Sequence, residues 1–432
     1  MYREISKLIM YGDMDKDCIL YQFGEIFRSY ENHTKDQAQL IQDIYTQVKR
    51  LLVVATDYGF DHNLWHNYLA FYLVTNENPF SITCEKVGAN DGSVNHFAKN
   101  DFAVIKNLFD YDFSKIEADL GIDCFSQLSD YHSIQKKELM YNKNVSEKII
   151  ALSAKLEAAE DVDAFFDAVT GFYKDYGVGM FGLNKAFRIK EKDEGDVEFV
   201  AINNMDKVML DDLIGYEIQK KKLLDNTKAF VEGRAANNVL LFGDSGTGKS
   251  TSIKAIVNEF YPDGLRMIEI YKHQFANLSN VIAQIKNRNY RFIIYMDDLS
   301  FEEFEIEYKY LKAVIEGGLE KKPDNVLIYA TSNRRHLIRE TFSDKEEIRE
   351  DMHTSDTVQE KLSLYARFGV SIYFGAPTKK EFQNIVKALA KKNHIPMEEE
   401  TLLAEANKWE LSHGGLSGRT AQQFINFLLG KE

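Results

Sequence analysis

The sequence predicts an α/β protein built on a parallel sheet with helices on both faces. One observation is the stretch NVLLFGDSGTGKSTSIKAIVNEFY (238–261), in which a glycine-rich loop joins a short apolar strand to an amphipathic helix. A second is that four more apolar runs, at 265–270, 291–296, 325–332 and 370–374, alternate with helical patterns. Strands that alternate with helices are joined by crossovers, which favours parallel pairing in a sheet covered on both faces.

The two ends of the chain differ from this central pattern. From residue 378 onward only helical patterns remain, which predicts a small helical lid. The first 177 residues also read as mainly helical, and the alternating runs KAFRIK and VEFVAIN that follow predict a β-hairpin. We therefore expect a helical N-terminal domain at 1–177, a β-hairpin or linker at 178–206, a core domain at 207–376 and a lid at 377–432.

Within the N-terminal region, the clearest helix follows Thr34 and Gln37, which together have the form of a capping box. Its apolar residues recur at helical spacing: Leu40, Ile41, Ile44, Tyr45, Val48, Leu51, Leu52 and Ala55. The Asn78-Pro79 pair reads as a breaker, so the polar segment from Asn76 to Asn100 is expected to be irregular.

Composition limits the class of protein. A chain of 432 residues with 44% hydrophobic and 28% charged residues has room for two or three domains and large cores. Since no apolar run reaches the ~20 residues of a membrane helix and the start lacks a signal-peptide pattern, we expect a cytoplasmic protein with no membrane partner. The net charge of −14 argues against broad binding to nucleic acid, although a local basic patch would be compatible with it. Three cysteines give neither a disulfide framework nor a CxxC metal motif.

The glycine-rich loop has the spacing G-x-x-x-x-G-K-S of a phosphate-binding loop. Its glycines let the backbone turn so that successive N–H groups and the helix N-terminus face one anion. Lys249 supplies a cation for the β and γ phosphates, and Ser250 a hydroxyl for Mg²⁺. The strand and helix on either side disfavour an ordinary glycine turn. The residues expected to contact nucleotide here are Gly243, Asp244, Ser245, Gly246, Thr247, Gly248, Lys249, Ser250 and Thr251.

Polar residues follow two of the predicted strands. Asp297 and Asp298 come after FIIYM, where one carboxylate can hold Mg²⁺ and the other can reach the water that attacks the γ-phosphate; the alternative is a pair of helix caps. Asn333 directly follows the strand NVLIYATS, so its amide can orient the same water. Earlier in the chain, Ile214 and Gly215 either lie against the adenine base or form only a helix cap and turn.

Six motifs in this order carry a family resemblance: LIGY, GDSGTGKS, DDLSFEE, ATSNRRHLI, LSLYARFG and GLSGRTAQQF. Over about the last 240 residues the chain resembles an AAA+ P-loop ATPase, and more closely an uncharacterised bacterial AAA+ family that bears only a domain-of-unknown-function label. The resemblance implies that Lys249 and Ser250 are the Walker A residues, Asp297 the Walker B magnesium ligand and Asn333 the sensor-1 residue.

The resemblance also implies roles for two arginines. Arg367 would be the arginine finger that reaches a neighbouring subunit's nucleotide, and Arg419 the sensor-2 arginine that contacts the γ-phosphate. The alternatives are a structural arginine at a helix end for Arg367 and a surface arginine for Arg419. The family pattern usually has Glu at the second Walker B position. This chain has Asp298 there, and replication-initiator ATPases also have Asp. Because Asp is one methylene shorter than Glu, we expect slow hydrolysis.

These observations lead to one main hypothesis and two alternatives. The main hypothesis is a homo-oligomeric, Mg²⁺-dependent ATPase that hydrolyses ATP to remodel or assemble an unidentified protein client. The first alternative is a nucleotide-gated binding or scaffold protein with negligible hydrolysis. The second, a DNA-associated loading factor, rests on analogy with replication initiators.

Overall fold

The computed structural model describes residues 1–133, 143–192, 196–203, 205–301, 307–316, 323–333 and 367–431. The chain divides into two compact units, Met1–Asn184 and Lys185–Glu432. The finer domain boundaries expected at 177, 206 and 376 stay a prediction. Over the parts of the chain just given, no helix is both long enough and apolar enough to cross a bilayer.

The first unit is helical in its described part. Its helices surround one apolar core that is rich in aromatic side chains, including Phe23, Phe27, Trp65 and Phe102. The helices, α1 to α11 in chain order, are Tyr2–Ile5, Ile19–Glu31, Gln37–Tyr58, Leu64–Thr75, Pro79–Val87, Val94–Phe109, Ser114–Leu120, Cys124–Ser129, Lys143–Glu157, Val162–Tyr176 and Gly179–Leu183.

Two local predictions for this unit are wrong. The cap of α3 is Asp36, whose side chain accepts a hydrogen bond from the backbone N–H of Gln39, whereas Thr34 lies outside the helix. The segment from Asn76 to Asn100 contains α5 and the start of α6. Pro79 begins α5, since the first helical residue needs no N–H donor, and the Asn78 side chain caps the helix.

Asp101 holds the N-terminal segment of this unit in place. The side chain is fully buried in α6. Its Oδ2 accepts hydrogen bonds from the backbone N–H groups of Ile9, Met10 and Tyr11 at 2.9, 2.7 and 3.0 Å. Buried charge is stable only when it is paired or fully hydrogen-bonded, so the three donors and the carboxylate depend on one another.

The second unit contains a seven-stranded sheet. The strands β1 to β7 are Ala186–Glu191, Val197–Ala201, Val239–Gly243, Leu265–Glu269, Arg291–Met296, Val326–Ser332 and Val370–Phe374. The helices between them are the 3₁₀ turn Leu210–Asp212, α12 Glu217–Val231, α13 Lys249–Phe260, the 3₁₀ turn Lys272–Asn277, α14 Leu278–Ile285 and α15 Glu307–Glu316.

The strand order is β2-β1-β4-β5-β6-β3-β7, and every pair except the β1–β2 hairpin is parallel. The interior strands β3 and β6 are buried along their whole length, which explains their unbroken apolar sequences. The predicted fold class is therefore confirmed. The hairpin at the edge pairs with β4, so it is part of the sheet of this unit.

Three helices after β7 form the lid: α16 Lys379–Lys392, α17 Glu399–Ser412 and α18 Gly418–Leu429. They share an apolar cluster of their own, with Phe382, Val386 and Phe424 among its buried members. Thr378 caps α16 in a capping box with Glu381, and Ser417 caps α18.

The Asp101 contacts lead to a stability prediction. Asp101→Ala removes the shared acceptor of three N–H donors, one buried at Tyr11 and two partly buried at Ile9 and Met10, so we expect the free energy of local unfolding around α6 to fall by about 3 kcal/mol. Hydrogen exchange followed by mass spectrometry on the full chain measures this for peptides within 1–184. Asp163→Ala is the control, because Asp163 forms an exposed ion pair with Lys99 and its removal is expected to leave protection nearly unchanged. Equal protection in the two variants would contradict the anchoring role of Asp101.

Candidate nucleotide-binding site

A cavity of about 870 Å³ lies where β3, β5 and β6 end at the carboxyl edge of the parallel strands. This is the edge at which open α/β sheets bind ligands. Its lining comes from four regions: the segment that precedes α12, the phosphate loop, the ends of β5 and β6, and the lid. The lining residues are Asp206, Val208, Asp212, Leu213, Ile214, Tyr216, Ser245, Gly246, Thr247, Gly248, Lys249, Ser250, Thr251, Asp297, Asp298, Thr331, Asn333, Ile385, Leu389, Gly418, Arg419, Gln422 and Gln423.

Two glycines in the loop sit where a larger residue would not fit. Gly243 has φ +129°, and a Cβ atom there would come within 2.2 Å of the Phe374 carbonyl oxygen on β7. Gly246 has φ +75°, and a Cβ there would lie 3.0 Å from the Ser417 hydroxyl of the lid. The loop is therefore packed between the last strand and the lid.

Lys249 opens α13 and is buried. Its Nζ donates to the carbonyls of Gly243 and Asp244 at 2.9 and 2.6 Å, and to Asn333 Oδ1 at 2.9 Å. Burial lowers the pKa of this amine from its usual value, although nearby carboxylates oppose the shift. The ammonium is thus held against the loop at the helix N-terminus, where anions are favoured.

Asp297 and Ser250 form a carboxylate and hydroxyl pair. Ser250 Oγ donates to Asp297 Oδ1 at 2.7 Å, and Thr331 Oγ1 donates to the same oxygen at 2.6 Å. Burial alone would raise the pKa of Asp297, but hydrogen bonds from Thr331 and Ser250 outweigh it, so the pKa lies below its ordinary value. The carboxylate is therefore ionised at neutral pH.

Asp298 has a left-handed backbone, with φ +49°. This conformation costs a residue with a Cβ roughly 1 kcal/mol or more, and Asp tolerates it better than most. Two hydrogen bonds hold it: its N–H donates to Thr331 Oγ1 at 2.9 Å, and Asn333 Nδ2 donates to its Oδ1 at 2.7 Å. Asn333 thereby joins Lys249 and Asp298, so the polar residues predicted at the ends of two strands lie together with the loop lysine.

Part of the cavity lining is apolar. Ile214 packs against the lid cluster, and it lines the cavity together with Leu213 and with Ile385 and Leu389 of α16. Such a slot between a turn and a lid fits a flat heterocyclic base. Gly215 does not line the cavity, but its φ of +82° gives the turn that presents Ile214.

Arg419 brings a second cation to the cavity from the N-terminal end of α18. Its backbone N–H donates to the Gly246 carbonyl at 3.1 Å, which joins the lid to the phosphate loop. The guanidinium contributes to the lowered pKa of Lys249, so the two positive charges lie near each other.

Arg367 lies at the opposite edge of the sheet. Val370 at the start of β7 pairs with Val239, whereas Phe374 at its end pairs with Gly243 beside the loop. Five residues of strand span about 13 Å, and Arg367 precedes them by three positions. Its side chain therefore does not reach the phosphate loop of its own chain.

The structure brings most of the predicted residues to one cavity, with four exceptions. Gly243 and Gly215 shape the adjoining turns, Arg367 is remote, and the carboxylate of Asp244 faces away to accept the N–H of Ala376 at 2.7 Å. The last residues of the motifs DDLSFEE and ATSNRRHLI and the first residues of LSLYARFG lie outside the described residues.

Sequence reasoning missed several residues of the lining. Thr331 lies two positions before Asn333. Because alternate residues of a strand share a face, this spacing in the sequence was enough to predict that Thr331 faces the cavity as well. Ile385 and Leu389 are four apart on one helix face, but nothing in the sequence separates them from ordinary lid core. Gln422 and Gln423 follow Arg419 by one turn of α18, and Asp206 and Asp212 come from the segment before α12.

The residues present fit a nucleoside polyphosphate with Mg²⁺. Backbone donors and two cations suit phosphate, the Ser250 hydroxyl with the ionised Asp297 suits a hard divalent cation, and the apolar slot suits a base. A volume of about 870 Å³ lies within the range of small-molecule pockets.

A mainly parallel sheet with the phosphate loop directly after an interior strand, polar residues at the ends of two neighbouring strands and a helical lid define a P-loop fold of the AAA+ class. Residues 183–432 match the family described as "Protein of unknown function (DUF815)", and the chain belongs to that family.

Solved structures with similar chains include a mutant of Thermotoga maritima RuvB, with 19% identity and a TM-score of 0.36 over 50% of this chain and 64% of that one. Another is a Thermotoga maritima RuvB described as a Holliday junction branch migration motor, with 17% identity and a TM-score of 0.31 over 52% and 72% of the two chains. A third is the FIGL-1 AAA domain in complex with ADP, with 17% identity and a TM-score of 0.36 over 52% and 73%. Likenesses of this size carry no argument about activity or partners. No curated protein matches the chain.

Proposed function

We propose that this protein binds ATP with Mg²⁺ and hydrolyses it to drive remodelling or assembly of an unidentified protein client. The observation that carries the proposal is the convergence of Lys249, Ser250, Asp297, Asp298 and Asn333 on one cavity beside the N-terminus of α13. A purely structural role for the loop would not explain why a lysine that follows β3, two aspartates that follow β5 and an asparagine that follows β6 all line the same cavity.

The phosphates would bind at the loop. The backbone N–H groups of Ser245 to Thr251 and the positive end of the α13 dipole supply the donors. Lys249 adds a full charge, held in place by its bonds to the loop carbonyls. Ile214 and Gly215 form the turn beside the base, with Ile385 and Leu389 closing the slot from the lid.

Ser250 and Asp297 would hold Mg²⁺, which, when bound, neutralises charge on the β and γ phosphates. The pKa of Asp297 below its ordinary value keeps this carboxylate charged at neutral pH. The Ser250 hydroxyl already donates its hydrogen to Asp297, so its lone pairs remain available for a cation.

Asp298 would accept a proton from the attacking water, and Asn333 would orient that water. Arg419, carried by the lid, would contact the γ-phosphate and report its presence to α18. In this scheme the lid closes on the nucleotide through residues that already touch the loop.

Arg367 would act on a neighbouring subunit in a homo-oligomer. The pairing of β7 with β3 keeps this arginine away from its own loop, which supports a role between subunits over a role within one. A site completed in this way would make hydrolysis depend on assembly.

One alternative is a nucleotide-gated scaffold with negligible hydrolysis. One feature favours this alternative: the Asp298 side chain is shorter than Glu, and its Oδ1 already accepts a hydrogen bond from Asn333. Steady-state phosphate release compared with a Lys249→Ala variant separates the two functions. The DNA-associated alternative remains an analogy, and stimulation of turnover by single- or double-stranded DNA would be its test. A cytoplasmic location stays a prediction.

Lys249→Ala is expected to weaken ATP binding by at least about tenfold, because one charge-assisted bond contributes ~1.5–3 kcal/mol. Calorimetric titration measures the affinity, and circular dichroism checks that the fold survives. Lys222→Ala removes an exposed lysine of α12 and serves as the control. An unchanged ATP affinity in Lys249→Ala would count against the phosphate site.

Asp298→Asn is expected to keep ATP affinity while turnover falls about a hundredfold, since the water loses its base and Asp297 remains. Asn accepts the left-handed backbone and can still receive the bond from Asn333, so the geometry is retained. Phosphate release and calorimetry measure the two effects. The control Asp225→Asn removes the same charge from the exposed face of α12. Intact turnover in Asp298→Asn would assign the water to another residue.

Arg367→Ala is expected to lower turnover by about 10³-fold or more without loss of ATP affinity, and wild-type turnover per subunit should rise with protein concentration. Mixing provides the sharper measurement. Lys249→Ala subunits bring an intact finger to the intact loops of Arg367→Ala subunits, so activity should return when the two inactive variants form mixed oligomers. Persistent inactivity in oligomers shown to be mixed would contradict a role for Arg367 between subunits, and so would concentration-independent turnover by a monomer. Arg367 would then have only a structural role.

A further inference from the structure

We propose that Thr331 is the positioning residue that sets both carboxylates of the nucleotide site, and that its hydroxyl is required for the Mg²⁺ dependence of nucleotide binding. The inference rests on the function proposed above and adds a residue to it. Thr331 lies near the end of β6, lines the cavity and is 2% exposed.

Three consecutive residues are held by Thr331. Its Oγ1 donates to Asp297 Oδ1 at 2.6 Å and accepts from the Asp298 N–H at 2.9 Å. Its carbonyl accepts from the Leu299 N–H at 2.7 Å. The hydroxyl thus donates its one hydrogen to the Asp297 carboxylate and offers a lone pair to the Asp298 N–H. It therefore fixes the carboxylate and the next peptide group relative to each other.

The hydroxyl has a geometric task that an apolar side chain of the same shape would not perform. The left-handed backbone of Asp298 persists only while surrounding contacts over-determine it, and the bond to Thr331 is one of the two that hold it. Asp297 Oδ1 accepts one bond from Thr331 and one from Ser250. Without the Thr331 hydroxyl, the carboxylate that would bind Mg²⁺ loses one of the two hydrogen bonds that hold its Oδ1 at 2.6–2.7 Å.

The competing explanation is that Thr331 is an ordinary buried threonine, whose hydroxyl forms hydrogen bonds that stabilise the fold and have no effect on the nucleotide site. Thr227 of α12 offers a matched comparison, because it is fully buried, its Oγ1 donates to the Leu223 carbonyl at 2.8 Å, and it lies 2.8 Å from the Tyr329 hydroxyl. Thr227 is not part of the cavity lining. A structural role alone predicts the same behaviour for both threonines.

The experiment compares Thr331→Val, Thr331→Ser and Thr227→Val in the full chain. Affinity for adenylyl imidodiphosphate, an ATP analogue that resists hydrolysis, is measured by calorimetry in EDTA and again with Mg²⁺. For Thr331→Val we expect the affinity in EDTA to stay within twofold of wild type and the gain on adding Mg²⁺ to shrink at least fivefold. Loss of a residue that orients metal ligands typically costs 10–100-fold in affinity or activity, so turnover of ATP should fall at least tenfold.

The two comparison variants should behave differently. Thr331→Ser keeps the hydroxyl and should restore the Mg²⁺ gain to within threefold of wild type. Thr227→Val should leave the Mg²⁺ gain within twofold, whatever its effect on thermal stability.

Each contrary outcome has a distinct meaning. A Mg²⁺ gain in folded Thr331→Val equal to that of wild type, or a loss shared equally by Thr227→Val, would overturn the inference while leaving the proposed function intact. Failure of Thr331→Ser to restore the gain would also overturn it, since the hydroxyl would not be the active feature. No binding of the analogue by the wild-type chain would overturn the proposed function and this inference with it.

Discussion

The approach of Gly243 to the backbone of β7 is the constraint on which the cavity depends. The Asp244 N–H donates to the Phe374 carbonyl at 2.9 Å, and the Asp244 carboxylate accepts the N–H of Ala376 at 2.7 Å. These contacts fix the first residues of the phosphate loop against the point at which the chain leaves the sheet for the lid. Since any side chain at position 243 would collide with the Phe374 carbonyl, only glycine allows the loop to begin this close to the end of β7.

Two further contacts tie the lid to the remainder of the cavity. The Arg419 N–H bonds to Gly246, and Lys392 at the end of α16 forms an ion pair with Asp212 in the turn before α12. One contact lies at the phosphate end, and the other is on the turn that precedes Ile214 at the apolar end. The ion pair is partly exposed, so its strength is modest and falls as salt is added.

The sequence was sufficient for features that depend on local pattern. The strands β3 to β7 and the phosphate loop follow from apolar runs and glycine spacing, and Asp297 and Asn333 follow from where two strands end. Features set by tertiary contact were harder to predict. Pro79 reads equally as a breaker and as the first residue of a helix, and only the caps made by Asn78 decide between them. Thr331 gains its importance from Asp298, which is distant in sequence and close only through the pairing of β5 with β6.

The N-terminal end of α18 is held against the phosphate loop, so a rotation about that end would move the C-terminal end of the helix most. A helix of 12 residues is about 18 Å long, so a tilt of about 10° at Arg419 would move its far end by about 3 Å. Phe427 and Leu429, which are 41% and 39% exposed, are carried by that far end. Because α18 shares its apolar cluster with α16 and α17, a tilt at Arg419 would carry the whole lid with it, and the displacement would be largest at these two side chains.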